Sequence, residues 1–398
     1  MAPRQRTRRW RWLWGLIASL LLTGCGEPAP APAPMRIASV LNLTGTSGIA
    51  GAAMEKAVAL AVQQQNAAGG VQGRPLLYQA YDGASQPEKT AAATGQALAA
   101  GAVALIGFSN SSAVLSAAPL AEKGGIPLIS VGATSPQAIQ AGPTTVFLVA
   151  FGDNTQAAAG AEFLYYQLHA RRLGLLTNVG NPYTLGLSRY FQARWQTLVP
   201  GGVVFSDTFQ VGDRDFSAST ARLRAIRPPL DALYIAAGSQ EAAALLLAVR
   251  QAGLAQPIMG GDSYGGAGLV HQIGGQPMSN IYYTAHSLWP PPPSGPLHDF
   301  AATYQDTYGQ TPANVFAALA YDGTRLLLDA LHRAPDTRGA SIRAALEATT
   351  AFPGITGLLS FQPGPAGHIP RKAITVIAVQ AGQAQIATIA TPMAVPVP

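Results

Sequence analysis

The chain has 398 residues, with 25 lysines and arginines against 19 aspartates and glutamates, six histidines and a single cysteine. One cysteine excludes a disulfide framework and a thiolate metal cluster, the scattered histidines offer no i, i+4 pair to a metal, and no cofactor is expected. The length exceeds what one hydrophobic core usually serves, so two lobes are expected.

The chain opens with R-Q-R-T-R-R-W-R-W, followed by L-W-G-L-I-A-S-L-L-L. A basic start before a short apolar stretch reads as an export signal over residues 1–24, too short to anchor stably across a bilayer. It ends in L-L-T-G-C, which resembles a bacterial lipobox, so Cys25 is expected to carry lipid and to anchor the protein in the cell envelope, on the periplasmic or extracytoplasmic face of a membrane. Residues 25–34, rich in alternating proline and alanine, read as an extended spacer. Five arginines lie in the signal, and without them 20 basic side chains face 19 acidic ones. A nearly neutral body with no basic run interleaved with aromatics excludes nucleic acid as a partner.

From Met35 onward, apolar runs of four to seven residues alternate with helical stretches: R-I-A-S-V-L, P-L-L-Y-Q-A-Y, A-V-A-L-I and I-P-L-I-S-V. The alternation resumes at R-L-G-L-L-T, G-V-V-F-S, D-A-L-Y-I-A, Q-P-I-M-G and I-Y-Y-T-A-H. This pattern predicts an α/β fold with two units, each a parallel sheet flanked by helices. A late helical block and two final strands, R-K-A-I-T-V-I-A-V and Q-I-A-T-I-A, suggest that the chain crosses between lobes several times. The expected division is residues 35–151 with 285–352 for lobe 1, residues 152–284 with 353–392 for lobe 2, and a tail at 393–398. Ligands of open α/β sheets bind at the carboxyl ends of the strands, which here face the cleft between lobes.

Four loops at such strand ends carry chemistry. G-F-S-N-S-S, residues 107–112, stands between a buried strand and a helix start, where free N–H groups and the helix dipole favour an anion. The anion could be an oxyanion, a phosphate or a carboxylate. S-V-G-A-T-S-P, residues 130–136, would bring Thr134 towards Ser111 if the two strands are neighbours, although serine and threonine before a helix usually satisfy only their own backbone. N-P-Y-T-L-G places Tyr183 at another strand end, and G-G-D-S-Y-G-G brings Asp262 onto a glycine-rich turn.

These residues, in this order, resemble the substrate-binding proteins of branched-chain amino-acid importers, the type I periplasmic binding proteins. The resemblance runs from R-I-A-S-V-L-N-L-T-G and N-A-A-G-G-V-Q-G-R-P-L-L-Y-Q-A-Y-D through I-G-F-S-N-S-S, I-P-L-I-S-V-G-A-T-S-P, D-F-S-A-S-T-A-R-L and V-R-Q-A-G-L. It implies a two-lobed clamshell, normally monomeric, that delivers its ligand to an ABC permease. It also implies that Ser111, with its helix-start N–H, and Thr134 hold a ligand carboxylate, that the backbone carbonyl of Gly132 together with Asp262 holds the ammonium, and that Tyr183 reaches in from the second lobe, with Ser112 and Ala133 as further ligand-binding residues beside them. A zwitterion leaving water needs donors at one end and an acidic acceptor at the other, which these residues supply. Aromatics that clamp the ligand side chain in the family are replaced here by Ala50 and Gly51 in the first loop and by Gly238 at a strand end, so the side-chain pocket should be larger or differently walled. Cysteines that pair in some members correspond to Ser85 and Asn110.

Two other classes compete. G-D-S-Y-G, residues 261–265, fits the nucleophile elbow of a serine hydrolase with Ser263 as nucleophile, but no H-G-G oxyanion segment precedes it and only His332 and His368 follow late enough to complete the usual order. The same fold also serves as a ligand sensor or as a regulator of cell-wall enzymes. The expectation is therefore a binder rather than an enzyme, with neither metal nor cofactor.

Overall fold

The computed structural model describes residues 32–140, 144–266, 273 and 278–397. The export segment, Cys25 and most of the proline spacer lie outside the described residues, as does most of the helix-like stretch after Gly266.

Strands that are apolar on both faces must be covered on both sides, which parallel sheets flanked by helices achieve. The first lobe runs β1 (Met35–Leu41), α1 (Gly48–Ala67), β2 (Leu76–Asp82), α2 (Pro87–Ala99), β3 (Ala104–Gly107), α3 (Ser111–Gly124), β4 (Leu128–Ser130), α4 (Gln137–Gln140) and β5 (Val146–Leu148). Its five strands are all parallel, in the order β2-β1-β3-β4-β5. Every residue of β3, β4 and β5 is buried, between a cluster around Met54, Phe147 and Leu327 on one face and one around Phe108, Val114 and Leu128 on the other.

The second lobe contains α5 (Asp153–Glu162), β6 (Leu173–Asn178), α6 (Pro182–Leu198), β7 (Val203–Phe209), α7 (Ser217–Ala225), β8 (Ala232–Ala236), α8 (Ser239–Gln251), β9 (Ile258–Gly260) and β10 (Ile281–Ala285). The chain then returns to the first lobe for α9 (Pro296–Tyr308), α10 (Phe316–Arg333), α11 (Gly339–Glu347) and the small pair β11 (Phe352–Gly354) and β12 (Gly357–Leu359). It crosses once more for β13 (Ile374–Gln380) and β14 (Gln383–Ala390), completing a seven-stranded sheet in the order β14-β13-β10-β9-β8-β6-β7.

Two expectations need correction. The second sheet is mixed, because β13 runs antiparallel to both β10 and β14. Ala381 and Gly382 join β13 to β14 with φ of 49° and 75°, and a two-residue hairpin can connect only antiparallel strands. In addition, Leu359 and Phe361 are buried in the cluster beneath the first sheet, while Ile374 packs with Phe151 and Ala159. Packing therefore places the last crossing close to Ile374 rather than after residue 352.

β5 and α5 do not stand out in the sequence. Nearly every residue of α5 is buried, so its small and polar side chains show no amphipathic period. Among the described residues no helix is long and apolar enough to span a membrane.

Both sheets reverse their winding at the cleft: the first between β1 and β3, the second between β6 and β8. Crevices at such switch points receive ligands. Gly107 ends β3 opposite Val40 of β1 with φ of 120°, and a Cβ there would collide with the Val40 carbonyl oxygen. Gly107→Ala is expected to cost about 2 kcal/mol or more, read as a lower urea midpoint at unchanged slope. An unchanged midpoint would show that the strand end relaxes without strain.

Candidate functional site

A cleft of about 650 Å³ is lined by residues from both lobes, among them Ser111, Gly132 and Thr134 from the first and Tyr183, Gly238 and Asp262 from the second. On the first side, Asn110 caps α3, its side-chain oxygen accepting from Ala113 N at 2.9 Å and from the Ser112 hydroxyl at 2.9 Å. Because Asn110 supplies the cap, Ser111 is released from that duty. Its hydroxyl is buried and makes no hydrogen bond among the described residues.

The loop after β4 is tied to the loop after β3. Ser130 donates its hydroxyl proton to Phe108 O at 2.8 Å and accepts from Ala133 N at 3.1 Å. Gly132 packs so closely that a Cβ would stand 2.5 Å from Ser109 O. Thr134 is buried at the cleft, and its carbonyl accepts from Asp153 N at 2.7 Å. Ala133 is sealed beneath the loop rather than lining the cleft, because its N–H is spent on Ser130. Ser112 reaches the cleft with its hydroxyl proton already given to Asn110.

On the second side, Asn181 caps α6 by accepting from Tyr183 N at 3.0 Å, which aims the Tyr183 ring across the end of β9. There the Tyr183 hydroxyl donates to Asp262 Oδ1 at 2.8 Å. The two glycines before Asp262 have separate reasons: a Cβ at Gly260 would strike the Tyr264 ring, and one at Gly261 would strike the Tyr183 hydroxyl.

Gln156, on α5, connects the floor of the site. Its Nε2 donates to Asp153 Oδ1 at 2.8 Å and to Asp262 Oδ1 at 3.0 Å, while its Oε1 accepts from Thr284 Oγ1 at 2.6 Å and Asp262 N at 3.1 Å. His286 completes the set, with Nε2 3.2 Å from Asp262 Oδ2 and its ring stacked on Phe151 at 3.9 Å. Burial holds the His286 pKa below its ordinary value, opposed by the Asp262 carboxylate. The neutral ring must then carry its proton on Nε2 to donate to Asp262, which leaves Nδ1 as the buried atom without a partner. Burial, and next the charge of Asp262, raises the Tyr183 pKa, so the phenol remains a donor.

A carboxylate offers about four acceptor positions. Tyr183, Gln156 and His286 occupy three of those on Asp262, and about one is left facing the cleft. Among the described residues no lysine or arginine lines the cleft. Neutral donors at one side and a partly satisfied carboxylate at the other suit a monoanionic head paired with a cationic one, not a phosphate.

Sequence reasoning missed Asp153, Gln156, Thr284 and His286, and also Phe316, whose ring lines the cleft and meets His286 edge-on. His286 had a visible signal, since it ends a strand otherwise made of I-Y-Y-T-A. Of the residues that replace the family's clamps and disulfide, Gly238, Ser85 and Asn110 line the cleft, whereas Gly51 packs against the Asn42 backbone. Ser85 takes over local bonding, donating to Thr44 O at 2.9 Å and accepting from Ser47 N at 3.1 Å. Ser263 is not poised as a nucleophile: its hydroxyl donates to Ala237 O at 2.7 Å, and His286 turns to Asp262 instead.

Asp153 is completely buried, and desolvation followed by the Asp262 charge raises its pKa to about 8. An unfolded aspartate titrates near 3.9, so between about pH 4 and 8 the folded chain holds the extra proton, and this group's contribution to stability falls as pH rises through that window. Asp153→Asn, which mimics the protonated carboxyl, is expected to melt higher than wild type at pH 8 and to lose that advantage by pH 4. An equal difference at both pH values would show that Asp153 is ionised throughout.

A family model described as periplasmic binding protein matches residues 34–384. The leucine-specific-binding protein of Salmonella typhimurium is 30% identical over 217 residues, covering 54% of this chain and only 57% of the relative's own length. Two crystal structures align more fully. A leucine binding protein from Thermotoga maritima is 29% identical with a TM-score of 0.80, over 90% of this chain and 99% of that one. A branched-chain amino acid transporter substrate binding protein from Streptococcus pneumoniae, in complex with isoleucine, is 28% identical with a TM-score of 0.81, over 90% of this chain and all of that one. With the match spanning nearly the whole described body and the two-lobed α/β architecture in place, the chain belongs to the periplasmic binding proteins, extracytoplasmic binders and not enzymes.

Proposed function

We propose that the protein captures an amino acid, or a small zwitterion like it, between its lobes and delivers it to an ABC permease while tethered to the membrane through lipid on Cys25. The observation that carries this reading is the pairing, across one cleft, of an unspent donor with an unfilled acceptor. Among the described residues the Ser111 hydroxyl has no partner, Thr134 lines the same cleft with its side chain hydrogen-bonded to Asp153, and Asp262 retains an open position. A carboxylate on the first pair and an ammonium on Asp262 would each regain the hydrogen bonding lost on leaving water. The amino-acid ligands of the similar proteins support the same assignment.

Because the two heads are gripped by different lobes, the ligand would favour the arrangement in which both sets of contacts exist at once. Its binding energy would then shift the population towards the closed clamshell, the form a permease could recognise. Lobe assignments of 35–151 with 285–352 and of 152–284 with 353–392 serve this reading, with the last crossing moved towards Ile374. The protein would act as a monomer, without metal, cofactor or nucleic acid.

Thermal melting of the full chain in detergent, screened against free L-amino acids, tests the reading. A ligand at 100 times its dissociation constant adds about 2.7 kcal/mol of stability. Asp262→Ala is expected to weaken the best amino acid by on the order of 3 kcal/mol, because a buried ammonium would lose its counter-charge. Undiminished affinity in that variant would remove Asp262 from the site. Cys25→Ala is expected to move the protein from the detergent-rich to the aqueous phase on Triton X-114 partitioning, and retention in the detergent phase would argue against a lipid at that residue.

A further inference from the structure

The cleft opens into a second chamber of about 360 Å³ whose chemistry the grip on the two charged heads does not use. At roughly 30 Å³ per water this is room for on the order of ten waters, more than the branched end of leucine requires. Phe316 and Met54 give the chamber an apolar side, while Thr46, Ser47, Ser239 and two asparagines give it a polar one, with no charged side chain among its lining residues.

The asparagines decide what the chamber can accept. Asn314 is 2% exposed, and its Oδ1 is committed to Phe316 N at 3.0 Å at the start of α10. Asn110 likewise spends Oδ1 on Ala113 N and the Ser112 hydroxyl. In both, the oxygen's engagement fixes which end of the amide is the NH2 group, and neither Nδ2 has a partner among the described residues. Two amide donors with no internal acceptor therefore belong to one uncharged chamber.

An aliphatic side chain would exclude water from those donors and leave them unsatisfied. A charged side chain would enter without a counter-charge. Resting on the amino-acid reading above, we infer that the ligand is an α-amino acid with an uncharged side chain that extends past a four-carbon branch and ends in hydrogen-bond acceptors, a carboxamide being the simplest. Phe316 covers its methylene stem and Asn314 donates to its carbonyl.

Calorimetric titration of the full chain in detergent with L-glutamine, L-asparagine, L-leucine, L-isoleucine, L-valine, L-glutamate and L-lysine tests this. L-glutamine is expected to bind at least about tenfold more tightly than L-leucine and than either charged amino acid. Asn314→Asp keeps the oxygen that caps α10 and replaces the donor with an acceptor. It is expected to weaken L-glutamine by about tenfold and to change L-leucine by less than about threefold. Tighter binding of L-leucine, L-isoleucine, L-valine or a charged amino acid by the wild type would overturn the inference and leave the zwitterion reading in place. Failure of every amino acid to bind would overturn that underlying reading as well. A preference for L-glutamine that Asn314→Asp leaves intact would refute the role given to Asn314. The wild-type ranking decides the ligand class whether or not the variant folds.

Discussion

The site depends on one buried carboxylate held in place by neutral donors. Asp262 receives hydrogen bonds from Tyr183 on α6, Gln156 on α5 and His286 just beyond β10. None of these donors brings a full positive charge, since burial keeps His286 neutral and Tyr183 protonated. The negative charge of Asp262 is thus solvated by dipoles but not cancelled. A lysine or arginine in the same place would neutralise the acid and remove its attraction for a cation, at the further cost of burying an ion pair. Neutral donors hold its geometry while leaving the field pointed into the cleft.

The segments that cross between the lobes place buried residues near this network. Phe151 lies on the first crossing and His286 on the second, and their rings stack at 3.9 Å. Lys372, on the third, is buried, donates to Thr356 Oγ1 at 2.7 Å and has its pKa lowered to about 8 by desolvation. It sits within reach of the Asp322 carboxylate, which is itself held by Ile355 N and Thr356 N. Each of the three linking segments is therefore anchored through at least one buried residue, Phe151, His286 or Lys372, packed against specific partners.

Much of the fold was legible because parallel strands buried on both faces write a plain signal, such as A-V-A-L-I and D-A-L-Y-I-A, and because the loops after them concentrate glycine and hydroxyl residues. Ser111, Thr134, Tyr183 and Asp262 could be singled out on that basis, and the structure brings them to one cleft. Ser111 in particular stood out only as one of several hydroxyls, and the asparagine beside it, by taking the capping role, is what distinguishes it. The remainder is illegible for a physical reason. Asp153 and Gln156 belong to a helix enclosed on nearly every side, so neither hydropathy period nor charge pattern marks it, and their meaning arises only through Asp262 and Thr284, far along the chain. The mixed character of the second sheet depends on two residues, Ala381 and Gly382, whose backbone conformation no apolar pattern encodes.

The contact between Gly132 and Ser109 O carries a consequence for how such a receptor can diversify. Backbone touches backbone there, so any larger residue would pry apart the loops that wall one end of the cleft. That end is consequently closed to gradual change, since even one methyl group is too much. Residues 46, 47 and 239 border open volume and carry no comparable restriction. Descendants of this chain could change what the cleft accepts by drifting at those three positions while the opposite end remained as it is.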